Sequence, residues 1–345
     1  NFLENIKNRK YPYVIAEIGI NHNGSVSLAK EMISAAKISG ASCVKFQSFK
    51  ADKYISDIAN KANYQVANSR SNISQKEIIR KCELNVNQLK ELFLYAKKLE
   101  IDFLSTPFEI WSLEELIALG IPAIKISSCN LTNIQFLHKV VSKKLPVLLS
   151  TGMANLTEVV EAVSILKNGN IPFMIFQCTS NYPSKHENAN LNVLTTFKRI
   201  FNTEVGLSDH TSSNITSIAA IALGAIAIEK HFTISKKLPG IDQMASLEPD
   251  EFKSLVDDVK ACKLALGSFL KFKTEEENDT SIALRRSLVA ANNLKAGQKI
   301  TKNCLSIMRP GSGLQPSYFS EILGKKLTKD IKKGTPVKLE HFLLS

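Results

Sequence analysis

Residues 12–24 read PYVIAEIGINHNG. The first seven are a strand rich in Val, Ile and Tyr, and the rest is a polar, glycine-containing loop. Apolar residues on both faces mark a strand covered on both sides, and the lone carboxylate, Glu17, sits near its carboxyl end. The pattern returns seven times, at 42–47 (SCVKFQ), 102–105 (DFLS), 123–127 (AIKIS), 146–150 (PVLLS), 173–178 (FMIFQC), 204–208 (EVGLS) and 226–230 (IAIEK). Amphipathic segments fall between the strands, among them 27–39, 75–99, 156–167, 213–223 and 249–265. Eight βα units over about 250 residues predict a (β/α)8 TIM barrel, with residues 1–270 as the catalytic domain. The competing topology is a doubly wound open sheet.

Beyond the last helical pattern, residues 271–284 (KFKTEEENDTSIAL) are mostly polar and read as a linker. Residues 285–345 hold short strands, Gly turns and little helix. They predict a compact α+β module too small to carry a large active site alone. The chain has 345 residues, 44% of them hydrophobic and 22% charged, as in an ordinary soluble globular protein. Its net charge of +12 is uneven: residues 281–345 carry 12 Lys+Arg against 3 Asp+Glu. Without aromatic residues interleaved among the basic ones, that excess points away from nucleic acid and toward a solvated surface or an anionic small substrate. The longest apolar stretch, Ile218 to Ile228, is too short for a membrane helix. The opening NFLENIKNRK lacks the apolar segment of a signal peptide. Six scattered cysteines without a CxxC pair fit reduced thiols in the cytoplasm better than a disulfide framework or a zinc site.

In a barrel the chemistry gathers where the strands end. Those ends offer Glu17; Lys45 and Gln47; Ser105 and Thr106; Lys125, Ser127 and Ser128; Ser150 and Thr151; Thr179 and Ser180; Ser208, Asp209 and His210; and Glu229 and His231. Any single Ser or Thr there also suits a helix cap. Lys45 and Lys125 lie inside apolar runs, so each ammonium points into the barrel and needs an anion. With the hydroxyls they form a cradle for a phosphate and a carboxylate. His210 and His231, on adjacent strand ends, suit a divalent ion with oxygen co-ligands as well as they suit a structural pair. His22, in the loop after the first strand, is a weaker substrate or capping candidate.

Taken in order, AEIGINHNG (16–24), KFQSFKAD (45–52), FLSTPFE (103–109), LSTGMA (149–154), QCTSNYP (177–183), GLSDHT (206–211), IEKHFT (228–233) and ASLEP (245–249) resemble the sialic acid synthase family across nearly the whole chain. RRSLVA (285–290) and RPGSGL (309–314) resemble that family's antifreeze-like (SAF) domain. The resemblance implies a synthase that condenses phosphoenolpyruvate with an N-acetylated amino sugar, either N-acetylmannosamine or 2,4-diacetamido-2,4,6-trideoxymannose. It implies His210 and His231 as ligands of a divalent metal, Mn2+ before Mg2+ or Co2+. Lys45, Thr106, Lys125, Ser128, Ser150 and Ser208 would form the phosphoenolpyruvate pocket, with Glu17 and Glu229 moving protons or placing water. Gln47, Ser180, Tyr182 and Asp242 would contact the sugar. Arg309 would reach a partner's active site in a domain-exchanged homodimer, with Gly311 and Gly313 letting its loop approach a ligand closely. KFQSFKAD leans toward legionaminate-type members. Cys129, Asn130 and Gln243 depart from the family pattern. The rival readings are a metal-dependent sugar-acid aldolase and a non-enzymatic binding protein.

Overall fold

A computed structural model of the chain describes residues 2–61, 66 and 74–342. Its eight parallel strands are β1 (Tyr13–Gly19), β2 (Cys43–Ser48), β3 (Asp102–Pro107), β4 (Ile124–Ile126), β5 (Val147–Ser150), β6 (Phe173–Cys178), β7 (Val205–Asp209) and β8 (Ala227–His231). The sheet order is β3-β2-β1-β8-β7-β6-β5-β4, and β3 also lies against β4. β1 pairs with β8 from Tyr13↔Ala227 to Glu17↔His231. First and last strands as partners define a closed ring, which excludes the open doubly wound sheet. Each expected strand lies within two residues of its observed bounds.

Alternation along the strands sorts the side chains. Outward residues such as Val14, Ala16, Val44, Phe46, Ile124, Leu149, Ile175 and Leu207 pack with helices in one large buried cluster. Inward residues of the lower layers, including Tyr13, Ile15, Cys43, Leu104, Leu148, Met174 and Phe176, form a second cluster. A short N-terminal helix, Phe2–Lys7, adds Leu3 and Ile6 to that cluster and closes the amino end of the barrel. Gly206 is inward on β7, where a Cβ would come within 2.7 Å of the Phe176 ring. The missing side chain is the space the ring fills. With its floor packed, the ring can admit a ligand only at the carboxyl ends.

The single helix expected over 75–99 is two, Gln75–Lys81 and Val86–Lys98. Asn85 starts the second: its side chain accepts from the Gln88 amide while Gln88 reaches back to the Asn85 amide. This reciprocal capping halts one helix and begins another inside a continuous apolar periodicity.

Contacts divide the chain into two compact units, Asn1–Gly267 and Ser268–Ser345. The stretch expected as a linker carries a helix, Glu277–Leu284, within the second unit. That unit pairs β9 (Ser287–Ala290) antiparallel with β10 (Leu305–Met308) over its own core of Leu288, Leu294, Ile300, Ile331 and Val337. The tail glycines serve this packing. A Cβ on Gly311 would lie 2.7 Å from Arg285 Cβ, and one on Gly313 would lie 2.8 Å from both Ser287 Oγ and the Val337 carbonyl. Residues 343–345, the end of the expected tail module, lie outside the described residues.

Candidate active site

Inward parity and strand-end position together determine which residues meet. Glu17, Lys45, Gln47, Thr106, Lys125, Ser150, Ser208, Glu229 and His231 are inward residues at the top of their strands. With Ser128, Ser180, Tyr182, His210 and Asp242 from the following loops, they line one cavity of about 420 Å³. The barrel residues to which the resemblance gives a role all lie on this wall, together with Ser127; the other strand-end candidates, Ser105, Thr151, Thr179 and Asp209, and the loop residue His22 do not. Arg309 belongs to the second unit, where it is exposed just past β10.

The polar floor is a charge ladder. Lys45 Nζ is 2.6 Å from Glu17 Oε2, 3.6 Å from Glu229 Oε1 and 3.0 Å from Thr106 Oγ1, to which it donates. Lys125 Nζ faces Glu229 Oε2 at 3.6 Å and lies over the Phe176 ring at 5.2 Å. Gln47 Nε2 donates to Glu17 Oε1 at 2.9 Å, and Ser208 Oγ to Glu229 Oε1 at 3.3 Å.

The two carboxyls share this charge unequally. Burial raises Glu17 and, even with Lys45 beside it, leaves its carboxyl above the usual range because Glu229 repels it. Burial also pushes Glu229 up, but Lys125, Lys45 and His210 outweigh it, and Glu229 sits below the usual range. Burial lowers Lys125, since its charge partner Glu229 is shared with Lys45. Lys45, equally buried, is held above its ordinary value by Glu17 and Glu229. The floor thus holds one lysine whose ammonium is under-compensated until an anion arrives.

The histidines stand at the other side of the cavity, ring centroids 5.4 Å apart, with the Tyr182 ring 4.1 Å from His210 and 5.3 Å from His231. His210 Nδ1 donates to the Thr179 carbonyl at 2.9 Å, so Nε2 is the nitrogen left for a ligand. Burial lowers this ring, but Cys178 and the Thr179 carbonyl outweigh it and hold His210 above its ordinary value until a cation displaces the proton. His231 Nδ1 is buried without a hydrogen-bond partner. Burial, then the charges of His210, Lys45 and Lys230, hold His231 well below its ordinary value, so its ring is neutral. A neutral ring with an orphaned nitrogen beside a second imidazole fits a divalent cation. Among the described residues no group of three or more His, Cys, Asp and Glu side chains forms a metal cage. Two protein nitrogens would leave the remaining positions to water or substrate oxygens.

Among the wall residues that the expectations lack, one is a nucleophile. Cys178 is inward on β6, 3.6 Å from Ser128 Oγ, 3.7 Å from Ser180 Oγ and 3.9 Å from His210 Nδ1. Burial pushes its thiol up, but His210, Ser128 and Lys125 bring it down to about 6. FMIFQC carried the signal, since Cys178 shares the parity of Phe176; its apolar neighbours disguised it. Gly152 opposite must lack a side chain, because a Cβ there would collide with Ser180 Oγ and lie 2.8 Å from Ser128 Oγ.

The departures from the family pattern separate into wall and scaffold. Cys129 lines the cavity, whereas Asn130 is buried and donates to the Phe108 carbonyl at 3.0 Å. Gln243 is fully buried: it accepts from Thr233 Oγ1 and donates to the Asn21 carbonyl at 2.9 Å, tying two loops together behind the wall. His22 is also scaffold. Its Nδ1 accepts from the Gly24 amide at 3.0 Å, and burial takes its ring down to about 4. Asp242 is different: it is buried against the cavity, and burial followed by Glu17 raises its carboxyl to about 7.

Fold and site define a (β/α)8-barrel enzyme whose polar floor suits an anion and whose paired histidines suit a metal. The chain belongs to the NeuB family, which matches residues 32–271, and a SAF domain matches residues 285–343. It is 42% identical to N,N'-diacetyllegionaminic acid synthase of Campylobacter jejuni, over 94% of this chain and 98% of that protein. It is 40% identical to the Legionella pneumophila enzyme of the same name, over 95% and 94%. The crystal structure of N-acetylneuraminic acid synthetase from Leptospira borgpetersenii, in complex with citrate, superposes with a TM-score of 0.70 at 31% identity, covering 78% of this chain and 90% of that one.

Proposed function

We propose that this protein is a nonulosonic acid synthase: it joins carbon 3 of phosphoenolpyruvate to the aldehyde of an N-acetylated amino sugar and releases phosphate. The observation that carries the reading is the pair of buried lysines, one of them short of negative charge, on the floor of a cavity whose far side holds two histidines. Lys45 and Lys125 hold the carboxylate and phosphate, aided by Thr106, Ser128, Ser150 and Ser208, and so fix the attack geometry. Glu17, with its raised pKa, is the proton donor. Glu229, with its lowered pKa, orients the water that adds at carbon 2 and takes its proton; two carboxyls driven apart in this way divide acid from base. His210 and His231 would hold a divalent metal, Mn2+ by preference, which when bound supplies Lewis acidity toward the sugar aldehyde.

Gln47, Ser180, Tyr182 and Asp242 serve the sugar. Away from the charged floor the lining mixes apolar residues, Ile20, Tyr54, Ile55, Ile79, Phe108 and Ile241, with Asn60, Lys61 and Gln75. The apolar share of this lining suits a deoxy methyl and acetyl methyls, and the amide and ammonium groups suit acetamido oxygens. This supports the 2,4-diacetamido-2,4,6-trideoxy sugar over N-acetylmannosamine, in keeping with the names of the two relatives. Residues 1–270 are the catalytic domain and 285–345 the SAF domain. Arg309 completes the partner's site in a domain-exchanged homodimer. All six cysteines are free, in accord with a cytoplasmic setting. No helix among the described residues is long and apolar enough to cross a membrane.

The test is phosphate release from phosphoenolpyruvate with Mn2+ and a panel of N-acetylated hexoses, with the sugar product identified by mass. Sugar-dependent phosphate release is expected. Pyruvate released from a sugar acid without phosphate would replace the synthase with the aldolase. No turnover with any member of the panel would refute the synthase.

A further inference from the structure

The ladder between β7 and β8 ends with Asp209↔Lys230. His210 lies one residue beyond it, where no strand pairing to β8 holds the backbone, while His231 is still on β8. Something else must set the distance between the two rings. Asp209 and Lys230, each beside a histidine in sequence, point to the opposite face of the sheet from Ser208 and Glu229. Their neighbours on that face, Leu207 and Ile228, are apolar. A buried ion pair there is costly unless every donor and acceptor is used.

Every one is used. Asp209 Oδ1 accepts from the Thr211 amide at 2.9 Å and from Thr211 Oγ1 at 2.8 Å. Asp209 Oδ2 accepts from Ser217 Oγ at 2.6 Å and meets Lys230 Nζ at 2.9 Å. Lys230 Nζ also donates to the carbonyls of Thr211 at 2.6 Å and Ser213 at 3.2 Å. That fills four acceptor sites on the carboxylate and three donors on the ammonium. The chain on both sides of His210 is thereby clamped to the residue that precedes His231.

We propose that Asp209 and Lys230 are positioning residues that lock His210 and His231 into one metal-binding geometry across the open end of the β7–β8 ladder. The inference rests on the reading of those histidines as metal ligands. Partners behind metal ligands typically matter by about 10–100-fold in affinity, and that is the effect expected here.

The experiment is Mn2+ titration of the full-length protein without substrate, free Mn2+ being read by electron paramagnetic resonance well below each variant's melting temperature. Asp209→Asn and Lys230→Met should bind Mn2+ about 10–100-fold more weakly and broaden the bound-ion spectrum. Val205→Ala, a cavity on the outer face of the same strand, should lower the melting temperature and leave Mn2+ affinity unchanged. Ser217→Ala, which removes one bond to Asp209 and is the mildest change, should weaken binding several-fold and decides the matter if the charge variants do not fold. His210→Ala and His231→Ala should lose binding. If they lose it while the folded network variants, or Ser217→Ala alone where the others are unfolded, stay within twofold of the parent, the clamp is overturned and the metal reading stands. If the histidine variants bind Mn2+ like the parent, the metal reading falls and the inference falls with it.

Discussion

Replacing Lys125 by Met keeps the apolar stem on the Phe176 ring and deletes the charge. In the parent, the ammonium is almost fully buried and faces Glu229 Oε2 at 3.6 Å. Two unit charges at that distance interact by roughly 4–5 kcal/mol at an effective dielectric of 20. A substrate carboxylate or phosphate oxygen brought to a similar distance feels a comparable field. Removing one member of a desolvated pair costs about 3–5 kcal/mol. At about 1.36 kcal/mol per factor of ten, the KM for phosphoenolpyruvate should rise by roughly two to four powers of ten. Lys45 remains to hold the anion, which favours the lower end. The KM for the sugar should hardly move, because Lys125 faces Glu229 on the floor rather than the apolar wall. Steady-state phosphate release at saturating sugar measures the effect, and a melting curve shows whether the variant is folded. A folded Lys125→Met protein with a phosphoenolpyruvate KM within threefold of the parent's would refute the placement of the anion.

Excess chelator, His210→Ala or His231→Ala should each abolish phosphate release, since on the proposed reading these two imidazoles are the ligands offered among the described residues; full turnover under any of these conditions would falsify the metal assignment. Asp242, at about 7 in the folded chain against 3.8 as its ordinary value, binds a proton between those limits that the unfolded chain does not. Stability should therefore fall as pH rises through that window, by up to roughly 4 kcal/mol, and Asp242→Asn should stabilise the protein at pH 8 much more than at pH 5 in urea melts. The sugar KM should also fall as pH rises through 7, a dependence absent from the Asn variant. Truncation after Leu270 should leave a folded barrel, because all eight strands and their helices precede it, yet with little activity. Mixing Arg309→Ala with His231→Ala subunits should restore some activity if tails are exchanged between barrels, and no rescue after confirmed subunit exchange would count against the exchanged arrangement.

The barrel and its charged floor were legible because two local rules coincide: strand residues alternate, and function collects at strand ends. Glu17, Lys45, Lys125 and Glu229 could be placed from their positions in apolar runs alone. The break at Cys82–Asn85 was not legible, since apolar periodicity continues through it and a pair of side-chain to backbone bonds makes the stop. Gln243 and Asn130 looked like changes to the site, but they tie loops behind it; sequence registers a departure without showing which way the side chain faces. The clamp behind the histidines was hidden for the opposite reason. Asp209 was read as one more strand-end polar group and Lys230 as part of a strand, because the partners of both lie in the next loop and helix. Cys178 was lost among apolar neighbours.

The charges inside the cavity argue for the missing parts of the reaction. Lys45, Lys61 and Lys125 stand around the cavity against the carboxyls of Glu17, Glu229 and Asp242, which contribute up to three negative charges. Phosphoenolpyruvate brings about three more. A cavity of about 420 Å³ walled on one side by isoleucine and phenylalanine cannot screen that excess as water does. On the proposed reading a divalent cation at His210 and His231 would offset two of these charges, and a guanidinium contributed by a tail domain would offset a third. On this reasoning metal and tail arginine are one requirement, that of bringing a trianion into a desolvated barrel. Loss of either should weaken phosphoenolpyruvate binding more than it weakens sugar binding, even where the lost group touches only the sugar.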